Sequence, residues 1–189
     1  MRRFDRRKGE PMPRPETSEY SKAMSRYIDY VPEDDVCAVL ASQMEATRLL
    51  IESIGEERSA FRYAPDKWSI KQVVGHFTDT ERVFSYRAAA IARGEQQPLP
   101  GFDENAYVAN AGFEHVALSD LLESYLAVRR ATLLMLRQLP PEAWPRCGTA
   151  SGNPVTVRAY AYAIVGHERH HLKILRERYL GGERVASSE

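Results

Sequence analysis

Residues 156–175 read TVRAYAYAIVGHERHHLKIL. Their apolar side chains recur at steps of three and four, which predicts an amphipathic helix with an inward stripe through Tyr160 and Ile164. At about 100° per residue, His167 and His171 fall inside that stripe, about 40° apart. Two imidazoles one helical turn apart are therefore expected to point towards the core together.

Three other long stretches show the same periodicity, and strand alternation is nearly absent. The predicted long helices begin near Glu33 to Asp35 and end at Gly55, run from a cap at Ser69 to Gly94, run from a cap at Ser119 to Leu139, and begin near Thr156 and end before Gly181. A shorter helix over about Glu19–Tyr30 precedes them. Four helices of about 20 residues with no sheet to cover predict an all-α four-helix bundle.

The connection from Gly94 to Leu118 is longer than usual for a bundle. Its aromatic residues, Phe102, Tyr107 and Phe113, favour a packed loop. The loop either covers a pocket or serves the structure or a dimer interface, and the sequence leaves both open. The glycine-rich segment 145–154 is compatible with a small hairpin or an irregular turn.

The composition is that of one soluble domain, because 43% of the residues are hydrophobic and 28% are charged. We expect a domain over 17–180 between flexible tails at 1–16 and 181–189. The net charge of +0 disfavours nucleic acid and anionic membranes as partners, and no apolar run approaches the ~18 residues of a membrane span. A cytoplasmic location follows, with Cys37 and Cys147 as free thiols.

The paired histidines need a shared partner, since burying a polar ring without one costs about 1 to 3 kcal/mol. A divalent metal ion supplies it, and an i, i+4 His pair can chelate one ion. His76 is the candidate third ligand, with His115 and His170 as second choices. Three neutral imidazoles suit Zn, Ni or Fe(II). The alternative, two rings bonded to carbonyl groups or water, stays open.

The segment from His167 to His171 also matches H-E-x-x-H, the zincin protease signature, with Glu168 as the candidate general base. The context argues against a protease. A zincin needs a third ligand downstream, but only a short segment follows His171. It also uses a sheet edge to bind peptides, and the chain lacks one.

Two charged residues fall on predicted apolar stripes, Glu81 on one helix and Arg129 on another. A buried charge needs a counter-charge, so we expect these two to form an ion pair. Trp68 is expected to be a core anchor rather than a ligand-stacking residue. Tyr160 and Tyr162 are expected to pack in the core, with Tyr160 also placed to line a metal pocket.

Four segments together resemble the DinB family of metal-dependent, hydrolase-like four-helix bundles. They are YAPDKWSIKQVVGHFTDTERVFSYRAAAIARG, PLPGFDENAYV, VRRATLLMLRQL and TVRAYAYAIVGHERHHLKIL. The resemblance spans about 19–179. It implies a metal held by one early histidine and an H-x-x-x-H pair, which correspond here to His76, His167 and His171. It also implies hydrolase or thiol S-transferase activity, since the superfamily includes bacillithiol and mycothiol transferases.

Two functional readings follow from the sequence. In the first, the chain is an enzyme whose metal activates water or a thiol, including a low-molecular-weight thiol cosubstrate, against a small electrophilic substrate. In the second, it is a non-enzymatic metal-binding stress or interaction protein. A pocket beside the metal would favour the enzyme, and a closed four-coordinate site would favour the other. A homodimer is compatible with either.

Overall fold

The computed structural model describes residues 13–181. The elements within them are the helices α1 (Lys22–Ile28), α2 (Val36–Arg58), α3 (Ile70–Ala92), α4 (Glu104–Ala111), α5 (Leu118–Arg137) and α6 (Val157–Ile174), and the strands β1 (Cys147–Ala150) and β2 (Asn153–Thr156). Short 3-10 turns span Thr17–Glu19, Phe113–His115 and Pro141–Ala143, and a π turn over Leu175–Tyr179 follows α6.

The predicted tails fall outside the described residues, apart from 13–16 and 181. Of these, Pro15 is buried, and Arg14 donates a hydrogen bond of 3.2 Å to the carbonyl oxygen of Ile28. The chain therefore already contacts the bundle at the end of the predicted N-terminal tail.

The four long helices form a four-helix bundle, which confirms the predicted fold class. Helix α3 packs against α5 and α6, and α2 packs against the same two helices from the other side. The short α1 lies on α6, where a Cβ atom at Gly166 would come within 1.9 Å of the carbonyl oxygen of Tyr27. Within residues 13–181, no helix has both the length and the apolar character that crossing a membrane requires.

Three of the four predicted starts of the long helices, at Asp35, Ser69 and Thr156, are confirmed by their caps, whereas α2 continues past the predicted end at Gly55, where it kinks, to Arg58. Ser69 accepts from the backbone N–H of Gln72 in a capping box, and Thr156 accepts from that of Ala159. The cap predicted at Ser119 is wrong, because α5 begins at Leu118 and its N-cap position is Ala117. There the Glu56 carboxylate accepts a hydrogen bond of 2.7 Å from the backbone N–H of Leu118, so a side chain distant in sequence caps the helix.

The long connection between the third and fourth predicted helices is not a plain loop, since it contains α4 and a 3-10 turn. Asp103 caps α4 by accepting from the N–H groups of Asn105 and Ala106, and Gly112 ends it with φ 65°. The start of the connection folds onto the predicted hairpin, because the N–H of Leu99 donates to the carbonyl oxygen of Thr149 at 2.8 Å. Strands β1 and β2 pair in antiparallel fashion.

Polar residues cross the middle of the bundle between two apolar clusters. The first cluster includes Leu40 and Tyr160, and the second includes Leu50 and Leu121. The residues between them are buried and come from all four long helices. This mid-bundle polar layer consists of Gln43, Thr47, His76, Thr80, Glu81, Arg129, Thr132, His167, Glu168 and His171.

Candidate metal site

His76, His167 and His171 converge in one half of the polar layer. The Nε2 atom of His167 lies 3.2 Å from that of His76 and 3.2 Å from that of His171. One ring nitrogen from each of the three lies within 4.8 Å of the other two. Helix α6 supplies the pair because positions four apart share a face, and α3 packs against it with His76 turned inward.

Burial keeps these rings neutral. It lowers the pKa of His76 to about 4, with a further contribution from His170. Burial likewise holds the pKa values of His167 and His171 well below the ordinary range, with the neighbouring histidines adding to the effect. Neutral imidazole is the form that binds a metal ion, so the three rings are ready to ligate at neutral pH.

A pocket of about 400 Å³ opens onto the three rings. Helices α3 and α6 form one side, and α1, the hairpin and the start of the long connection form the other. Its lining includes Trp68, Phe84, Arg87, Phe102 and Glu104 beside the histidines. The connection thus contributes Phe102 and Glu104 to the pocket wall.

Two aromatic residues beside the histidines were expected to pack in the core. Tyr160 is buried and lines the pocket, as the sequence analysis allowed. Trp68 contacts the apolar core but also lines the pocket, with its ring centroid 4.6 Å from that of His76. Trp68 therefore packs against the core, as expected, and also forms part of the pocket wall.

The second half of the polar layer is a charged network around Arg129. Its guanidinium donates to both Glu81 oxygens at 2.9 and 2.8 Å, and to Glu168 at 2.5 Å. The predicted Glu81–Arg129 ion pair is confirmed, with Arg129 0% exposed. We call Glu81, Arg129 and Glu168 the arginine network.

Glu168 uses both carboxylate oxygens within this network. It accepts hydrogen bonds from Gln43, Thr47 and Tyr125 at 2.5, 2.5 and 2.6 Å. Its place in the helix, one residue after His167, turns it about 100° from that ring, and it does not line the described pocket. The geometry therefore does not support Glu168 as a general base, because its acceptor positions are already filled.

Neither of the second-choice histidines belongs to the cluster of ligating atoms. His115 is exposed in a 3-10 turn after α4. His170 lines the pocket, with its ring centroid 5.8 Å from that of Tyr27, yet the cluster of ligating atoms does not include it. Sequence reasoning did not single out Gln43, Thr47 or Tyr125. Polar residues at inward positions of their helices were the available signal.

The fold and the three convergent neutral histidines together define a helical-bundle protein with a candidate metal centre. Residues 38–175 match the model of the DinB superfamily. The chain belongs to the DinB superfamily.

Among solved structures, this chain is similar to YfiT from Bacillus subtilis, described as "a probable metal-dependent hydrolase with an unusual four-helix bundle topology". The similarity has a TM-score of 0.65 at 17% identity and covers 88% of this chain and 93% of that chain. A comparison with curated proteins finds no match.

Proposed function

We propose that the chain is a metal-dependent hydrolase or thiol S-transferase that acts on a small electrophilic substrate. His76, His167 and His171 would hold the divalent transition metal. The observation that carries the proposal is the convergence of three buried ring nitrogens at a pocket large enough for a small molecule.

The donor set fits a metal ion. Nitrogens at about 2.0 to 2.1 Å from a tetrahedral ion lie about 3.3 to 3.4 Å apart, close to the observed 3.2 Å separations. In the tautomer that binds a metal, the Nε2 atom of each ring carries a lone pair; three such lone pairs facing one another repel, and a cation between them removes that repulsion. The set suits Zn, Ni or Fe(II).

The charge of the arginine network also favours a divalent cation at the three histidines. Glu81 and Glu168 share the single guanidinium of Arg129, so the network has a formal charge of −1 in the same buried layer as the neutral histidines. A divalent cation at the histidines would offset it, because charges interact strongly in a medium of low dielectric constant.

When bound, the metal would lower the pKa of a coordinated water or thiol and so generate a nucleophile at neutral pH. The protein residues would position the substrate and limit its contact with water. Trp68 and Phe84 supply apolar surface beside the histidines, and Phe102 adds a ring from the long connection. The open pocket supports an enzyme over a closed, purely structural metal site.

Metal analysis of the purified protein, compared with His76→Ala and with His115→Ala as the matched control, tests the ligand set. We expect one metal ion per chain in the wild type and in His115→Ala, and a large loss in His76→Ala. Full loading of His76→Ala would contradict the assignment of the ligands.

A turnover screen then tests the enzyme. It would pair bacillithiol, mycothiol or glutathione with small electrophiles, and include ester and amide hydrolysis. Activity that depends on His76 and not on His115 is expected. Stoichiometric metal without turnover in any reaction would favour the non-enzymatic reading.

A further inference from the structure

We propose that Arg87 binds an oxyanion of the substrate, a carboxylate or a phosphate, at the end of the pocket away from the three histidines. The inference rests on the proposed function, because both concern the same pocket, and it narrows the substrate to small anions.

Arg87 is a buried cation that lacks a counter-charge among residues 13–181. It is 5% exposed, and its guanidinium donates to the carbonyl oxygen of Pro100 at 2.5 Å and lies over the ring of Phe102 at 5.6 Å. It also forms a hydrogen bond with Tyr160. Each of these partners is formally neutral.

The other buried arginines differ in this respect. Arg129 is paired with two carboxylates, and Arg158 is paired with Glu19. A buried charge is ordinarily paired because removing it from water is costly. An external anion that enters the pocket would supply the partner that Arg87 does not find in the described part of the chain.

The pocket extends along α3 from the histidines to Arg87. His76, Thr80, Phe84 and Arg87 all line it, and they share one helix face because residues 76 and 87 differ by about 20° around the axis. Eleven residues correspond to about 16 Å along the helix. The Cα–Cβ bonds of an α-helix tilt towards its N-terminus, which for Arg87 is the direction of His76.

Helix α6 lines the same path in the opposite direction. The ring of Tyr160 lies 5.3 Å from that of Phe84, and the ring of His167 lies 5.0 Å from that of His76. The Arg87 end and the histidine end are thus two parts of one continuous pocket. A substrate held at both ends has its anionic group several bonds away from its reacting group.

Thr80 provides a second observation between the two ends. It is buried, it lines the pocket one turn after His76, and its Oγ1 atom has no hydrogen-bond partner among residues 13–181. Buried hydroxyl groups are ordinarily satisfied, so an orphan in a pocket wall indicates a ligand or water that completes it. A polar atom in the middle of the substrate would do so.

The charge of the lining selects an anion. Arg26 and Glu104 are both exposed and carry opposite charges, which leaves Arg87 as the buried cation of the lining. A metal at the neutral histidines would add further positive charge. The planar guanidinium of Arg87 matches the geometry of carboxylate and phosphate oxygens.

Binding of ω-mercaptoalkanoates of increasing chain length to the cobalt-loaded protein tests the proposal. The charge-transfer absorption between thiolate and cobalt reports binding at the histidines. We expect the best-fitting acid to bind about tenfold or more tightly than the ω-mercapto alcohol of the same length, as a charge-assisted hydrogen bond implies. A matching series ending in a phosphate monoester distinguishes the two oxyanions.

Arg87→Met is expected to remove this preference, Arg87→Lys to retain part of it, and Arg130→Met, at an exposed position on α5, to leave it unchanged. An equal preference in the wild type and Arg87→Met, or no preference in the wild type, would overturn the proposal. Arg87→Lys keeps the test decisive should Arg87→Met fail to fold.

A metal-free arm separates failure of this inference from failure of the proposed function. In the presence of a chelator, the best-fitting acid should raise the thermal unfolding midpoint of the wild type more than that of Arg87→Met. If cobalt does not bind, the metal site is refuted, and this difference alone decides the role of Arg87; its absence overturns the proposal.

Discussion

The arginine network and the histidine cluster lie in the same buried layer, but they satisfy their polar atoms differently. Arg129 and Glu168 bond to side chains and a carbonyl group from all four long helices. The three histidine nitrogens face one another across 3.2 Å contacts beside an open pocket. The first half holds the bundle together through its own side chains, and we propose that the second half binds a ligand from outside the protein.

The largest expected effect comes from breaking the arginine network. Arg129→Leu should destabilise the protein by about 3 to 5 kcal/mol, because it leaves the Glu81 and Glu168 carboxylates buried without a counter-charge. Urea unfolding measures the change, with Arg130→Leu, at an exposed position on the same helix, as the control. A loss below about 1 kcal/mol would show that the two halves do not differ in this way.

A smaller, pH-dependent effect should distinguish the histidine half. Burial lowers the pKa of His76 in the folded protein to about 4 from an ordinary 6.5, so below pH 6.5 the unfolded chain binds a proton that the folded chain does not. The metal-free wild type should therefore lose stability relative to His76→Leu as pH falls, by roughly 1 kcal/mol between pH 6.5 and 5.5, with a slope that approaches about 1.4 kcal/mol per pH unit.

Urea unfolding of both proteins with a chelator, from neutral pH to about pH 5.5, checks this slope. His115→Leu, which removes an exposed histidine, serves as the matched control and should run parallel to the wild type. Parallel curves for the wild type and His76→Leu would show that His76 titrates normally in the folded protein.

The smallest effect is expected for a single ligand in the absence of metal. His171→Leu should change the free energy of unfolding at neutral pH by no more than about 1 kcal/mol, because the Nε2 atom of His167 keeps its 3.2 Å contact with His76 when the contact with His171 is lost. The same change should abolish any stabilisation of the protein by added metal. A large loss without metal would mean that His171 holds the fold as Arg129 does.

Local sequence signals predicted the parts of the fold that depend on local chemistry. Apolar periodicity identified the four long helices, and Ser69 marked the start of α3 through a capping box closed within four residues. The start of α5 was misplaced because its first N–H is bonded by Glu56, far away in the chain. Asp103 is an ordinary N-cap residue, but α4 was not predicted because the long connection was interpreted as a loop.

The sequence by itself determined which side chains could form the site, because helical periodicity alone places His167 and His171 on one face and Glu81 and Arg129 on inward stripes. Only the tertiary structure decided what Glu168 does. Its position beside the histidines in sequence suggested catalysis, but the bundle brings Thr47 of α2, and Tyr125 and Arg129 of α5, close enough to fill its oxygens. Periodicity fixes the direction of a side chain from its own helix, whereas its partners depend on how the other helices pack.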